Sequence, residues 1–103
     1  MIKVITGYRT KQGEDIESIL FKLRSHAMTF PGFIGSENLV GYADTSIIAT
    51  ATSWEKGEHW REWEKSGIRH AILRELRPKL EEDPRITIYR IMPATGWQSA
   101  TWS

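Results

Sequence analysis

Three of the five tryptophans and two of the three histidines in this chain fall between Trp54 and His70. An indole offers a flat apolar wall with one N–H donor, and an imidazole takes or gives a proton near neutrality. Together they suit one kind of work: seating a flat aromatic molecule, accepting a proton from it and steadying the oxyanion charge that follows. On a helix, Trp60, Trp63 and Gly67 share a face, as do His59, Trp63, Ser66 and His70. Glu55, Glu58, Arg61, Glu62 and Lys65 take the opposite, solvated side. Trp63, His59 and His70 are therefore the candidate catalytic residues. Trp60, with Tyr8 and Arg9 at the end of the first strand, makes up the candidate substrate contacts. Each also has an ordinary duty. Trp54, Trp60 and Trp63 suit helix–sheet packing, and His59 and His70 suit a charged helix surface. His26 suits the cation-favouring end of a helix. Three histidines without an HxH or HxxxH pair give no metal site.

Composition excludes several function classes. With 14 basic and 13 acidic residues among 103, the net charge of +1 provides no basic patch for nucleic acid. The absence of cysteine rules out disulfides and thiolate chemistry and fits a reducing compartment. No apolar run reaches membrane-spanning length, and the N-terminal stretch lacks the basic-then-apolar pattern of a signal sequence. The chain reads as a soluble, cytoplasmic protein. It has one domain over residues 1–92 and a tail over 93–103 without hydrophobic period, whose Trp97 and Trp102 suit packing on a neighbour.

The elements that must position the candidate residues follow from periodicity. Alternation over Met1 to Arg9 predicts a strand with Ile2, Val4, Thr6 and Tyr8 on one face. Ile16, Ile19, Leu20, Leu23 and Ala27 recur at helical spacing, and Pro31-Gly32 ends that helix. Strands are predicted over Phe33 to Val40 and Thr45 to Trp54, joined through Gly41-Tyr42-Ala43-Asp44. The third strand has one face of small residues, Ala49, Ala51 and Ser53, which leaves room for a partner or a cavity. Ser53 is the expected cap of a second helix, with a break at Ser66-Gly67 where the apolar stripe moves to Ile68, Ile72, Leu76 and Leu80. Pro84 introduces a last strand, Arg85 to Met92. The order βαββαβ predicts an α+β, ferredoxin-like fold with a four-stranded antiparallel sheet and both helices on one face. The bare face calls for a cover, and a second copy of the chain supplies one.

Pro31-Gly32-Phe33-Ile34-Gly35-Ser36-Glu37, a third strand ending at Trp54, the run Glu55 to Trp63 and the later Leu76-Arg77-Pro78-Lys79-Leu80 resemble the antibiotic biosynthesis monooxygenase family. The resemblance covers roughly Ile2 to Met92. It implies a dimeric α+β barrel, with two sheets facing each other and a pocket between sheet and helices in each subunit. It also implies that the family's pocket tryptophan is Trp63. In one branch these proteins oxidise polycyclic aromatic phenols without a cofactor. A haem-degrading branch adds an asparagine on the first strand and an iron-binding histidine beyond the tryptophan. Here those places hold Gly7 or Tyr8, and Leu73, with His70 one helical turn early, so haem turnover is not expected.

Two readings of function result. The first is a cofactor-independent monooxygenase acting on a small quinol- or anthrone-like aromatic compound, with Trp63 and Tyr8 as donors and His59 or His70 as base. The second is a homodimer that holds a small aromatic ligand without turning it over.

Overall fold

The computed structural model describes residues 1–92, and the tail with Trp97 and Trp102 lies outside them. Strand β1 (Ile2–Arg9) leads into helix α1 (Glu17–Ala27), then β2 (Phe33–Val40) and β3 (Ile47–Trp54). Helices α2 (Gly57–Glu64) and α3 (Gly67–Leu76) follow, then a 3-10 turn over Arg77–Lys79 and β4 (Arg85–Arg90). All strand pairs are antiparallel, in the order β2-β3-β1-β4. This is the expected α+β arrangement with the second helix in two pieces.

The register explains which side chains meet the helices. Val4 stands opposite Thr52, Thr6 opposite Thr50 and Tyr8 opposite Ile48. Ser36 and Asn38 continue the same rows on β2. Because strand side chains alternate, this layer faces α1, α2 and α3, while Ile5, Gly7, Ala49 and Ala51 face the other way. The small residues of β3 thus line the outer sheet face rather than a space under the helices. Leu39 and Ile47 on that outer face are 50% and 43% exposed.

Two apolar clusters hold the layers together. One joins Tyr8 of β1 with Ile16, Ile19 and Leu20 around α1 and with Ile72, Leu73, Leu76 and Leu80. The other joins Val4, Ala27, Trp54, Trp60 and Trp63. Leu23 packs against both.

Local chemistry sets the breaks. Ser66 lies between α2 and α3; its Oγ donates to the Trp63 carbonyl at 2.8 Å and accepts from the Arg69 N–H at 3.2 Å. One hydroxyl therefore closes one helix and caps the next. Ser53, the expected cap of α2, instead lies in β3 opposite Lys3, and extended Lys56 precedes α2 without a side-chain cap. The third strand begins at Ile47 rather than Thr45. Asp44 accepts from both the backbone N–H and the hydroxyl of Ser46, which holds that stretch in a turn. The last strand ends at Arg90. Ile68, expected on the buried stripe of α3, is 46% exposed, and Arg69 takes the inward position instead.

At the end of α1 the chain turns through Gly32, whose φ of +84° suits glycine. The His59 side chain occupies the space that a Cβ at position 32 would need. This packing seats the start of α2 against the turn.

Candidate functional site

A narrow crevice lies between the sheet and the helices. Its floor is a patch of hydroxyls: Thr6 and Tyr8 on β1, Thr50 and Thr52 on β3, and Ser36 on β2. Its roof is supplied by Leu20, Leu23, Arg24 and Ala27 of α1, Trp60 and Trp63 of α2, and Arg69 and Leu73 of α3. The volume is about 40 Å³. That is room for two or three water-sized groups, well below the roughly 300–1,000 Å³ of sites that enclose drug-sized ligands. A ring system enters only if roof side chains part.

Arg69 dominates the electrostatics. Its side chain lies inside the roof, with the residue 8% exposed. Its Nη1 donates to the Glu64 carbonyl at 3.1 Å, and the guanidinium lies over the Trp60 ring. A guanidinium has five N–H donors, so the described residues use little of its donor capacity. Burial pulls Arg69 below its ordinary value, while Tyr8 and Glu64 push the other way. Glu64 thus contributes a carbonyl and a more distant charge rather than an ion pair.

Trp60 brings a second unused donor. It is 3% exposed, and its buried Nε1 has no hydrogen-bond partner among the described residues. The Ser36 hydroxyl in the floor is likewise buried without a partner. Trp54, by contrast, is satisfied: its Nε1 donates to Thr52 Oγ1 at 3.0 Å, and its ring packs edge-on against Phe33 and Trp60. Trp63 lines the crevice and meets Phe30 edge-on at 5.1 Å. Tyr8 is buried at the floor, and that burial pushes its phenol up, against opposing contributions from Thr50, Arg69 and Thr6. A cation with no ion pair among the described residues, an indole N–H with no partner there and several hydroxyls belong to residues that line one apolar slot, a set that suits a flat molecule carrying negative oxygen.

The structure brings Trp63, Trp60 and Tyr8 together at the crevice. The other three candidates lie elsewhere. His59 packs on Gly32 with its Nδ1 buried and unpartnered, and His70 is exposed. Arg9, next to Tyr8 on a strand, points to the opposite face and forms an exposed ion pair with Asp44 at 3.8 Å. It borders an open depression with Lys11, Gln12 and Glu14, away from the tryptophans. Sequence reasoning missed Arg69. The signal was there: Arg69 stands three and four residues before Ile72 and Leu73, so it shares their face. Among the described residues, no cluster of three or more histidine or acidic side chains could hold a metal ion. No helix there is long and apolar enough to cross a membrane.

No family model and no curated protein matches the chain. Solved structures do. SnoaB, a cofactor-independent oxygenase from Streptomyces nogalater, aligns over 92% of this chain and 96% of its own, with a TM-score of 0.81 at 11% identity. A proposed antibiotic biosynthesis monooxygenase from Nitrosomonas europaea aligns over 90% and 100%, with a TM-score of 0.81 at 12% identity. A conserved protein from Methanosarcina mazei Go1 aligns over 88% and 92%, with a TM-score of 0.80 at 17% identity. Over residues 1–92 the chain is built on the fold of the antibiotic biosynthesis monooxygenases.

Proposed function

We propose that the protein is a cofactor-independent monooxygenase for a small hydroxylated aromatic compound of the quinol or anthrone kind, working as a homodimer joined through its outer sheet faces. The observation that carries this reading is the crevice itself. Two tryptophans wall it, and a buried guanidinium with no ion pair among the described residues lies over the ring of Trp60, whose indole N–H has no partner there.

Triplet oxygen reacts slowly with closed-shell molecules, so the substrate must supply the electrons, and an ionised phenol or anthrone does so. At an anthrone-type CH₂, both C–H bonds are lost. One oxygen atom becomes the new carbonyl, and the other leaves as water with the two hydrogens. The protein binds the ring, favours its ionised form and stabilises the oxyanion. Arg69 and Trp60 Nε1 carry the charge-stabilising role, Trp63 the wall, and Tyr8 a hydrogen bond to a substrate oxygen. This proposal gives His59, His70 and Arg9 no part in the crevice.

One observation favours the second reading, a dimer that only holds its ligand. Among the described residues no histidine or carboxylate lines the crevice, so on these residues the proton goes to solvent or is already lost from the bound substrate. Oxygen uptake separates the two. An anthrone added to the protein is expected to consume one oxygen molecule per ring oxidised, above the uncatalysed rate. Binding of the anthrone with no uptake above that rate overturns the oxygenase reading in favour of the second.

A further inference from the structure

We infer that the crevice is a carboxylate-recognition site: Arg69 takes the acid group of an aromatic carboxylic acid, and the ring lies between the tryptophans and the hydroxyl floor. This rests on the proposed reading only in using the same crevice, and it narrows the ligand to an aromatic acid.

The inference comes from an imbalance between donors and acceptors. Arg69 is a permanent cation inside a slot, yet the described residues give it a single carbonyl as hydrogen-bond acceptor and a tryptophan face as neighbour. Removing a charge from water is costly unless a partner restores the balance. On the same crevice, Trp60 Nε1 and Ser36 Oγ are buried with no partner among the described residues. Two buried unpartnered groups on residues that line the same crevice as a buried cation call for an explanation.

What they lack in common is an acceptor carrying negative charge. An indole N–H only donates, and a guanidinium only donates. A metal cation or an amine would meet repulsion from Arg69. A neutral ring would leave the charge uncompensated. A carboxylate brings about four acceptor positions on two oxygens, which matches the forked geometry of the guanidinium and leaves capacity for the indole N–H or a hydroxyl. A single phenolate oxygen satisfies fewer of these donors. The size also fits. A space of about 40 Å³ admits an acid group before any side chain moves, with the ring then wedging Leu23 and Leu73 outward.

The test compares benzoate with its neutral counterpart benzamide, and with 4-nitrophenol above and below its ionisation, by calorimetry or tryptophan fluorescence. Wild type is expected to bind benzoate at least about tenfold more tightly than benzamide, and more tightly than nitrophenolate. Arg69→Gln is expected to abolish the benzoate preference and Arg69→Lys to keep part of it. Trp60→Phe is expected to weaken benzoate about fivefold and benzamide less, because the N–H removed bonds a charged acceptor more strongly than a neutral one. Thermal denaturation of each variant verifies the fold. Equal affinity for benzoate and benzamide, binding of neither, or a preference that survives in Arg69→Gln overturns the inference. Tighter binding of nitrophenolate than of benzoate also overturns it, in favour of a single-oxygen anion. None of these readouts uses oxygen. Failure of the oxygenase assay therefore leaves the binding result standing, and loss of the benzoate preference leaves oxygen uptake to its own test.

Discussion

The guanidinium carbon of Arg69 stands 5.4 Å from the centroid of the Trp60 ring, although the two residues belong to helices separated by the break at Ser66. The crevice's charge and its unused indole N–H are therefore carried by two side chains in contact. Their energetic effects should be coupled, since neighbours in contact do not add independently.

Arg69→Met is expected to raise the melting temperature. It replaces a buried cation that has no ion pair among the described residues with an apolar chain of similar length. Replacing buried charges by packed apolar groups is often stabilising by about 1 kcal/mol or more, which is about 4 °C or more for a domain of this size. Thermal unfolding by circular dichroism measures it. A fall of similar size would show that the guanidinium holds the roof together through Glu64 and Trp60.

The two tryptophans of α2 should separate. Trp60→Phe removes an N–H with no partner among the described residues and part of the edge-on packing with Trp54, so it should cost about 1–2 kcal/mol in stability while turnover falls by about tenfold. Trp63→Phe loses part of the edge-on packing with Phe30 and should cost about 1–2 kcal/mol, with a smaller effect on rate. Equal losses of turnover in both variants, tracking their melting temperatures, would make the pair a packing stripe only.

Alkaline unfolding should report on Tyr8. Its folded pKa is raised above the ordinary value of 10.0, chiefly by burial. The folded state thus holds the phenolic proton more tightly than the unfolded chain does. The associated stability is complete below pH 10 and is lost as pH rises through the folded value, with a slope of up to about 1.4 kcal/mol per pH unit. Urea midpoints for wild type should fall faster than those for Tyr8→Phe from pH 10 upward. Parallel curves for the two proteins would remove Tyr8 as the source.

Association through the outer sheet face should depend on its small residues. Wild type is expected to sediment at about twice the chain mass of 11.9 kDa. Ala49→Arg puts a long cation in the middle of that face, on β3 opposite Gly7, and should give monomers with an intact circular dichroism spectrum. Monomeric wild type at micromolar concentration would remove the dimer, and a dimeric Ala49→Arg protein would move its contact elsewhere.

Much of the fold was legible in the sequence, because alternation and helical spacing act locally. The second strand spans Phe33–Val40 as predicted, and the chain breaks at Ser66 and Gly67 where the apolar stripe changes face. The site was less legible. Trp60, Trp63 and Tyr8 reach it because aromatic bulk goes where apolar area is buried. Arg69 was overlooked because a charged residue between Ile68 and His70 suggests a solvated surface. The Ser66 cap resets the helix at that point, so Arg69 turns inward and Ile68 outward. The spacing from Tyr8 to Arg9 did carry a warning, since adjacent residues on a strand face opposite sides and only one of the two can reach the crevice.

The turn at Gly32 has a consequence for how these sequences can vary. Two separate demands fall on that position: a backbone angle that side chains rarely adopt, and a space already filled by His59. A shortened residue at position 59 would lift only the second. In a library randomised at both sites, variants should therefore retain glycine at 32 whatever stands at 59, whereas position 59 should tolerate smaller residues freely while glycine remains. The two positions would show a one-way dependence, and a drift away from histidine would leave no compensating trace in the turn.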